Sequence, residues 1–252
     1  MSIIKERTNF ELDKKREFLI QRKSFNKFKN TYYHSSKLKN PNTQRFWDKN
    51  IENGLSLTDI DRMTMDRIKS AVNCVNSNVK KLLDIGLGYG YFEREIIKIH
   101  PRIRLFGIDI SKYSISIINK NILGKFKIGS ILKIPFHEKF DVVVALEILE
   151  HLHFSQTFQA FKEIKRVLKN KGQLIISVPI NENYSDKYNP NHHLRGYSSS
   201  IIQEELKLAD FRIKKIKFFY AFSTMYSLKN ILKYLFPNRW KPNIILINAI
   251  KK

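Results

Sequence analysis

Apolar residues along this chain follow two different spacings, which predict strands that alternate with helices. Short apolar runs fit strands buried in a sheet, and apolar residues three and four positions apart fit the buried faces of helices. This repeated alternation indicates an α/β fold with a mostly parallel, doubly wound sheet. The predicted strands are Lys81–Ile85, Arg104–Asp109, Phe126–Ile128, Asp141–Leu146, Gln173–Pro179, Phe211–Tyr220 and Asn243–Ile250. The predicted helices are Thr64–Val75, the segments after Gly90 and Ser111, Ser155–Leu168 and the segment after Ser198.

The sequence KLLDIGLGYG, residues 81–90, joins the first predicted strand to the following helix. Asp84 lies near the end of the strand, and Gly86, Gly88 and Gly90 follow at alternate positions. A turn with so little side-chain bulk lets a ligand lie against bare backbone beside a helix amino terminus. Open α/β sheets bind small molecules at the carboxyl ends of their strands, where this turn lies. We therefore predict a small-molecule site here.

The length of 252 residues allows one domain with a modest extension. We divide the chain into a basic, partly helical amino-terminal extension, residues 1–60, and a main domain, residues 61–252. The first 50 residues contain 13 Lys or Arg, 5 acidic residues and no glycine. The extension either packs on the main domain, or serves as a lid or as an arm for an acidic partner. Its candidate packing residues are Phe10, Phe18, Leu19, Phe25 and Phe28.

The net charge of +23 raises the question of a polyanionic partner. The basic residues are 33 Lys and 13 Arg, whereas Arg is the usual choice for bidentate recognition of phosphate. We favour an AT-rich coding bias as the cause, with a nucleic-acid partner as the alternative. Cys74 is the single cysteine, which excludes intrachain disulfides. No apolar run is as long as a membrane span, and the first residues lack a signal-peptide pattern, so we expect a cytoplasmic protein.

The spacing of the glycines distinguishes between two nucleoside cofactors. The dinucleotide fingerprint places its third glycine three residues after the second, and that position here is Tyr91. The pattern Asp84-x-Gly86-x-Gly88-x-Gly90 instead resembles the class I S-adenosylmethionine-dependent methyltransferases, within the broad group that includes the ubiquinone-pathway O-methyltransferases.

The resemblance extends from about residue 60 to the carboxyl terminus. It implies S-adenosylmethionine as the cofactor and a Rossmann-like, seven-stranded sheet whose last strand, NIILINAI, runs antiparallel at the sheet edge. Asp109 corresponds to the family's acid that binds the ribose hydroxyls. Gly129-Ser130 departs from the family's frequent Gly-Asp, so the adenine contact must come from Ser130, Ile131 or backbone. The cofactor-binding residues that follow are Asp84, Gly86, Leu87, Gly88, Gly90, Asp109, Ile110, Ser130, Ile131, Leu146 and Glu147.

Methyl transfer needs a nucleophile aligned with the methyl group and, for oxygen acceptors, a group that removes a proton. Glu150 and His151 follow the fourth predicted strand, where the methyl group should point. An ordinary imidazole pKa near neutrality makes His151 a candidate general base. The alternative is that Glu-His only orients this loop. His193 is the third candidate catalytic residue.

Glu147, Glu150 and His151 are also candidate metal ligands, because their i, i+3, i+4 spacing at a helix start places them on one side. Carboxylates with an imidazole suit Mg²⁺ or Mn²⁺. The triplet is similar to the metal-binding motif of small-RNA 3′-terminal 2′-O-methyltransferases, where a further histidine lies four residues before an aromatic and a Ser or Thr. His193 matches that position relative to Tyr197-Ser198. Similar segments occur in methyltransferases of sugars and lipids, so metal dependence stays open.

Three functions are consistent with these motifs. The main hypothesis is O-methylation of a small-molecule acceptor, such as a quinone precursor or a sugar. Aromatic residues of the 180s loop, within the long connection from Pro179 to Tyr197, and of residues 218–236 would form the walls of the acceptor pocket. The second is a metal-dependent RNA 2′-O-methyltransferase, which the charge and the Glu/His set favour. The third is a cofactor-binding protein without transfer activity. The sequence leaves the oligomeric state unassigned.

Overall fold

The computed structural model describes residues 40–54, 60–182, 191–236 and 239–252. The predicted apolar face of the extension, from Phe10 to Phe28, and the aromatics of the 180s loop lie outside these residues. The strands are β1 Lys81–Ile85, β2 Arg104–Asp109, β3 Lys125–Ile128, β4 Phe140–Leu146, β5 Leu168–Pro179, β6 Phe211–Phe219 and β7 Ile244–Lys251. The helices are α1 Gln44–Asn53, α2 Arg62–Val72, α3 Tyr91–Ile99, α4 Lys112–Asn121, α5 Thr157–Val167, α6 Ser199–Leu208 and α7 Tyr226–Leu235.

The seven strands form one sheet in the order β3-β2-β1-β4-β5-β7-β6. Every pair from β3 to β5 is parallel, and β7 is antiparallel to both of its neighbours. Apolar residues pack on both faces of the sheet, in two clusters. β4 lies near the middle, and Val142, Val143 and Val144 are completely buried. This arrangement confirms the predicted Rossmann-like fold with a mostly parallel sheet and an antiparallel last strand.

The position of the last strand differs from the expectation. β7 lies between β5 and β6, and β6 forms the sheet edge. The prediction that NIILINAI would be an edge strand was therefore wrong. Its first residues, Ile244 to Ile247, are all buried, whereas most of β6 between its two ends is exposed or half-buried. Charged side chains on an edge strand discourage pairing with another chain, and the four basic residues of β6 suit that position.

Several helix boundaries also differ from the predicted ones. α2 begins at Arg62, two residues early, because Asp61 caps it and accepts a hydrogen bond from the backbone N–H of Thr64. α3 buries Phe92 and Ile96, but Ile99 is 56% exposed and does not belong to the buried face that its spacing suggested. Within the described residues, no helix combines the length and the apolar composition needed to cross a bilayer.

Helix α1 is fastened to the main domain at the carboxyl edge of the sheet. The Asp48 carboxylate accepts hydrogen bonds from the Ser111 hydroxyl (2.9 Å) and the backbone N–H of Lys112 (2.8 Å). It thereby adds a negative charge at the amino terminus of α4, which the helix dipole favours. The Tyr89 hydroxyl donates to the carbonyl of Ile51 (3.0 Å). These contacts place α1 beside the glycine turn.

Candidate functional site

The glycine turn has a backbone conformation that residues with a Cβ rarely adopt. Gly86, Gly88 and Gly90 all have positive φ, at 85°, 53° and 77°. A Cβ on Gly86 would lie 2.0 Å from Cδ1 of Ile148, whereas a Cβ on Gly88 would meet nothing within 4 Å. Gly86 is therefore required for close packing. Gly88 borders open space, which leaves room for a ligand.

Asp109 is fixed at the tip of β2 by donors from the turn and from α4. Its carboxylate accepts hydrogen bonds from the backbone N–H of Gly88 (3.0 Å) and of Ser111 (2.8 Å) and from the Ser114 hydroxyl (3.2 Å). Burial raises the pKa of Asp109, and these hydrogen bonds oppose that shift. A carboxylate held in this way beside a cavity is an acceptor for ligand hydroxyl groups.

A cavity of about 420 Å³ connects the glycine turn to the loop after β4. This volume lies in the usual range of small-molecule sites. Eight predicted cofactor-binding residues line it: Gly86, Gly88, Asp109, Ile110, Ser130, Ile131, Leu146 and Glu147. Of the described residues between 218 and 236, none lines it, so the expectation that this segment walls an acceptor pocket is not met in this cavity.

The other three predicted cofactor residues, Asp84, Leu87 and Gly90, support the turn from behind. Asp84 is buried near Glu93, and burial together with this second carboxyl group raises its pKa well above the usual range. Leu87 is buried in the core. Gly90 immediately precedes α3 in a left-handed conformation. They shape the turn without lining the cavity.

Glu147 adopts a strained backbone conformation at the end of β4, with φ of 58°. Its carboxylate forms an ion pair with Arg67 of α2 (2.8 Å) and accepts a hydrogen bond from the Ser177 hydroxyl (2.8 Å). A non-glycine residue at positive φ costs free energy and is found where the surroundings fix it. Arg67 and Ser177 fix Glu147 at the cavity wall, so this carboxylate is not directed into a cluster with Glu150 and His151.

His151 lines the same cavity and lies in an apolar, aromatic environment. Its ring packs edge-on against Trp47 (centroids 4.9 Å apart) and against His193 (4.8 Å). Burial and, to a smaller extent, His193 lower the pKa of His151 to about 3. The expectation of a near-neutral pKa for His151 was wrong, because the sequence does not show which residues bury this ring. The ring is therefore neutral at neutral pH.

Glu150, His151 and His193 converge, as the sequence suggested for the Glu/His set. Their potential ligand atoms all lie within 4.8 Å of one another. Glu150 is completely buried, and neither of its side-chain oxygens has a hydrogen-bond partner among the described residues. Burial and the nearby Glu147 raise the pKa of Glu150 well above its usual range. His193 contacts Glu182 through Nδ1 (2.8 Å).

This cluster has the composition of a metal site. It consists of Glu150, His151 and His193, and so differs from the predicted triplet by containing His193 and not Glu147. A neutral imidazole is the ligand form of histidine, and the carboxylate of Glu182 on His193 is a typical outer partner of a ligating histidine. The orphaned oxygens of Glu150 would gain a partner. The carboxylate of Glu150 suits Mg²⁺ or Mn²⁺, whereas two imidazoles are more typical ligands of transition metals, and Glu147 is not among the residues whose ligand atoms converge.

A buried arginine holds the His193 segment against the loop after β4. Arg195 is 1% exposed. Its guanidinium donates to the Tyr197 hydroxyl (2.7 Å), to the hydroxyl of Thr157 and to the carboxylate of Glu205. The backbone N–H groups of residues 194 and 195 donate to the carbonyl of Glu150 (2.8 and 3.1 Å). Nothing in the sequence pattern marked Arg195, because its partners come from two separate helices.

Residues of the amino-terminal extension complete the cavity wall. Asn42, Trp47 and Ile51 line it, and the Asn42 amide donates to the backbone carbonyls of His192 (3.1 Å) and His151 (3.4 Å). His192 itself packs against Phe46 and lies outside the Glu150 cluster. Within the sequence TQRFWDKN, residues 43–50, the aromatic residues Phe46 and Trp47 are the feature that could have indicated this contact.

Comparisons with known proteins are consistent with this geometry. Residues 83–176 match a family model described as a methyltransferase domain. An uncharacterized protein of Methanocaldococcus jannaschii is 30% identical over 177 residues, which are 68% of this chain and 66% of that protein. A ubiquinone biosynthesis O-methyltransferase of Pelagibacter ubique is 33% identical over 102 residues, or 38% of this chain and 41% of that protein. The chain therefore spans less than two thirds of the length of these curated relatives.

A solved structure extends the similarity over most of the chain. The N-methyltransferase NodS of Bradyrhizobium japonicum, in complex with S-adenosyl-L-homocysteine, matches with a TM-score of 0.63. The match covers 83% of this chain and 98% of NodS at 17% identity. At that identity the match establishes a common fold.

Proposed function

This chain belongs to the class I S-adenosylmethionine-dependent methyltransferases, and we propose that it transfers the cofactor's methyl group to a hydroxyl of a small-molecule acceptor. One observation carries the proposal: a single cavity of about 420 Å³ extends from Gly86 and Asp109 to His151. The cofactor end and a proton acceptor thus line one continuous cavity. Its volume lies in the range of small-molecule sites, and the quinone precursor or sugar derivative that we propose as acceptor follows from the resemblance to O-methyltransferases.

The residues of the turn support binding of the cofactor. Asp109 offers acceptor capacity to ribose hydroxyls, and its position is fixed by the donors described above. The open space at Gly88 lets a ligand approach the backbone. When bound, S-adenosylmethionine supplies a methyl group activated by a sulfonium. Glu147, held by Arg67 and Ser177, lies on the cavity wall between Gly86 and His151.

His151 is the residue we assign to proton removal from the acceptor hydroxyl. Its ring is neutral at neutral pH, so it is able to accept a proton. A pKa of about 3 makes it a weak base for a free hydroxyl. As the new oxygen–carbon bond formed and the carbon–sulfur bond broke, with S-adenosylhomocysteine as the leaving group, the acceptor oxygen would become positively charged and its proton strongly acidic. A weak base suffices at that stage, and Trp47 and His193 keep the ring in place.

The test is methyl transfer from labelled S-adenosylmethionine to cell extract separated into RNA, lipid and soluble-metabolite fractions. We expect label in the metabolite fraction and a loss of about 100-fold in kcat for His151→Ala, the usual scale for a general base. His153→Ala is the matched control, because this histidine lies two residues away and does not line the cavity. Unchanged turnover in His151→Ala, or label in RNA alone, would contradict the proposal.

A metal-dependent RNA 2′-O-methyltransferase is the second candidate, favoured by the convergence of Glu150, His151 and His193. These residues would hold Mg²⁺ or Mn²⁺, which would polarise the acceptor hydroxyl as a Lewis acid. Turnover of oligonucleotide 3′ ends is measured against Mg²⁺ or Mn²⁺ concentration, with Glu150→Gln as the variant. The absence of both metal dependence and RNA affinity at physiological salt would eliminate this candidate.

A further inference from the structure

Helix α7, Tyr226–Leu235, presents its large apolar side chains to solvent. None of its residues is fully buried. Leu228, Ile231 and Leu235 are 44%, 64% and 69% exposed, and their spacing of three and four places them along one side. A helix on the surface of a globular protein normally turns such a stripe towards the core. Together with Met225, Tyr234 and Phe236 these residues form what we call the α7 face.

The lysines of α7 are directed towards the protein, which is the reverse of the usual arrangement. Lys229 Nζ lies 5.8 Å from the ring centroid of Phe222, and Lys233 Nζ lies 4.6 Å from that of Tyr220. Both lysines are half-buried. Phe222 also packs against Trp240 (centroids 5.4 Å apart). The α7 face is thus an apolar stripe flanked by cations that rest on aromatic rings.

The chain segment that carries the α7 face is strongly basic, although Asp66 of α2 contacts α7 by accepting a hydrogen bond from the Tyr226 hydroxyl (2.8 Å). Residues 211–252 contain ten Lys or Arg and no Asp or Glu. A partner must therefore accept apolar side chains and also carry negative charge. A second copy of this chain would bring the same positive charge, as would residues 1–39, which contain 11 Lys or Arg and 4 acids. Nucleic acid has the required charge but offers no apolar depth for Leu and Ile side chains.

We propose that the α7 face binds peripherally to the surface of an anionic lipid bilayer, with its apolar side chains among the acyl chains and with the basic residues of segment 211–252 attracting the anionic headgroups. Interfacial helices combine an apolar face with basic residues in this way, and Tyr and Trp are suited to the headgroup level. β6 runs parallel to β5 because both pair antiparallel with β7. α7 follows β6 in the chain, so it starts at the carboxyl ends of the parallel strands, where the cavity also lies. This binding is independent of the proposed methyl transfer.

Vesicle flotation with the full chain tests the proposal. We expect binding to vesicles of phosphatidylcholine containing about 30% phosphatidylglycerol, which weakens as salt rises, and little binding to phosphatidylcholine alone. Ile231→Glu should reduce the affinity at least about tenfold, since one large side chain loses its apolar burial. Leu123→Glu is the matched control, because Leu123 is 97% exposed and lies outside the α7 face. Its vesicle affinity should fall only slightly, because one negative charge is added away from the α7 face.

Ile231→Ser repeats the test without adding a charge, and circular dichroism shows whether each variant is folded. Equal effects of Ile231→Glu and Leu123→Glu would reduce the binding to general charge attraction and overturn the proposal. No binding to the anionic vesicles at physiological salt would also overturn it. RNA binding that Ile231→Ser abolishes, without vesicle binding, would make the α7 face a nucleic-acid surface instead.

Discussion

The two ends of the cavity are built in different ways. The glycine turn and Asp109 come from one continuous unit, residues 84–109, and their positions are set by backbone conformation and backbone hydrogen bonds. The histidine end is assembled from Asn42, His151 and His193, which are distant in sequence and held by side-chain contacts. The structure of the glycine-turn end should be disrupted when a Cβ is added to the backbone. The structure of the histidine end should be disrupted when a side chain distant in sequence is removed.

The largest effect is expected from removing the guanidinium that anchors the histidine end. Arg195→Met leaves the buried Glu205 carboxylate without its partner, which typically costs about 3–5 kcal/mol. We expect this loss in the free energy of unfolding measured with urea. Lys165→Met breaks a half-exposed pair with Asp210 and should cost no more than about 1 kcal/mol. Similar losses in both variants would show that the buried Arg195 network stabilises the fold no more than a half-exposed ion pair does.

A second substitution sharpens this result. In Arg195→Met/Glu205→Leu the unpaired carboxylate is also removed, and replacement of a buried ion pair by apolar residues is often neutral. The double variant should therefore recover most of the lost stability. If it does not, the hydrogen bonds to Thr157 and Tyr197 contribute the larger part.

The next effect concerns the glycine-turn end. Asp109→Ala removes a carboxylate that accepts three hydrogen bonds and that would bind ribose hydroxyls, and hydrogen bonds to a charged group contribute about 1.5–3 kcal/mol each. We expect S-adenosylhomocysteine to bind at least about tenfold more weakly by calorimetry. Asp141→Ala, at the opposite end of β4, is the control and should bind normally. Unchanged affinity in Asp109→Ala would remove this residue from the cofactor site.

The same contrast explains what could be predicted from the sequence. Gly86 was found because a strand–turn–helix unit imposes the spacing of its glycines, and Asp109 was found because it ends the next strand of the parallel sheet. The convergence of Glu150, His151 and His193 was suggested by a motif, but the pKa of His151 depends on burial under Trp47 and beside His193. The interior position of β7 depends on a competition between two strands, which local periodicity does not describe.

A smaller effect distinguishes two glycines of the turn. Both Gly86→Ala and Gly88→Ala incur the cost of positive φ, about 1–2 kcal/mol. Only Gly86→Ala also places a Cβ 2.0 Å from the Ile148 side chain. Gly86→Ala should therefore weaken cofactor binding and stability more than Gly88→Ala. Adding Ile148→Ala should relieve the extra loss, and the absence of any relief would show that backbone strain alone governs both positions.

The smallest effect tests how firmly α1 is held over the cavity. Tyr89→Phe removes the hydrogen bond from the Tyr89 hydroxyl to the carbonyl of Ile51, which contributes about 1 kcal/mol. If α1 must stay docked for the cofactor to bind, calorimetric affinity for S-adenosylhomocysteine should fall about fivefold. Tyr234→Phe, at a 77% exposed ring on α7, should leave that affinity unchanged. Equal affinities in the two variants would show that cofactor binding does not depend on the hydrogen bond between Tyr89 and Ile51.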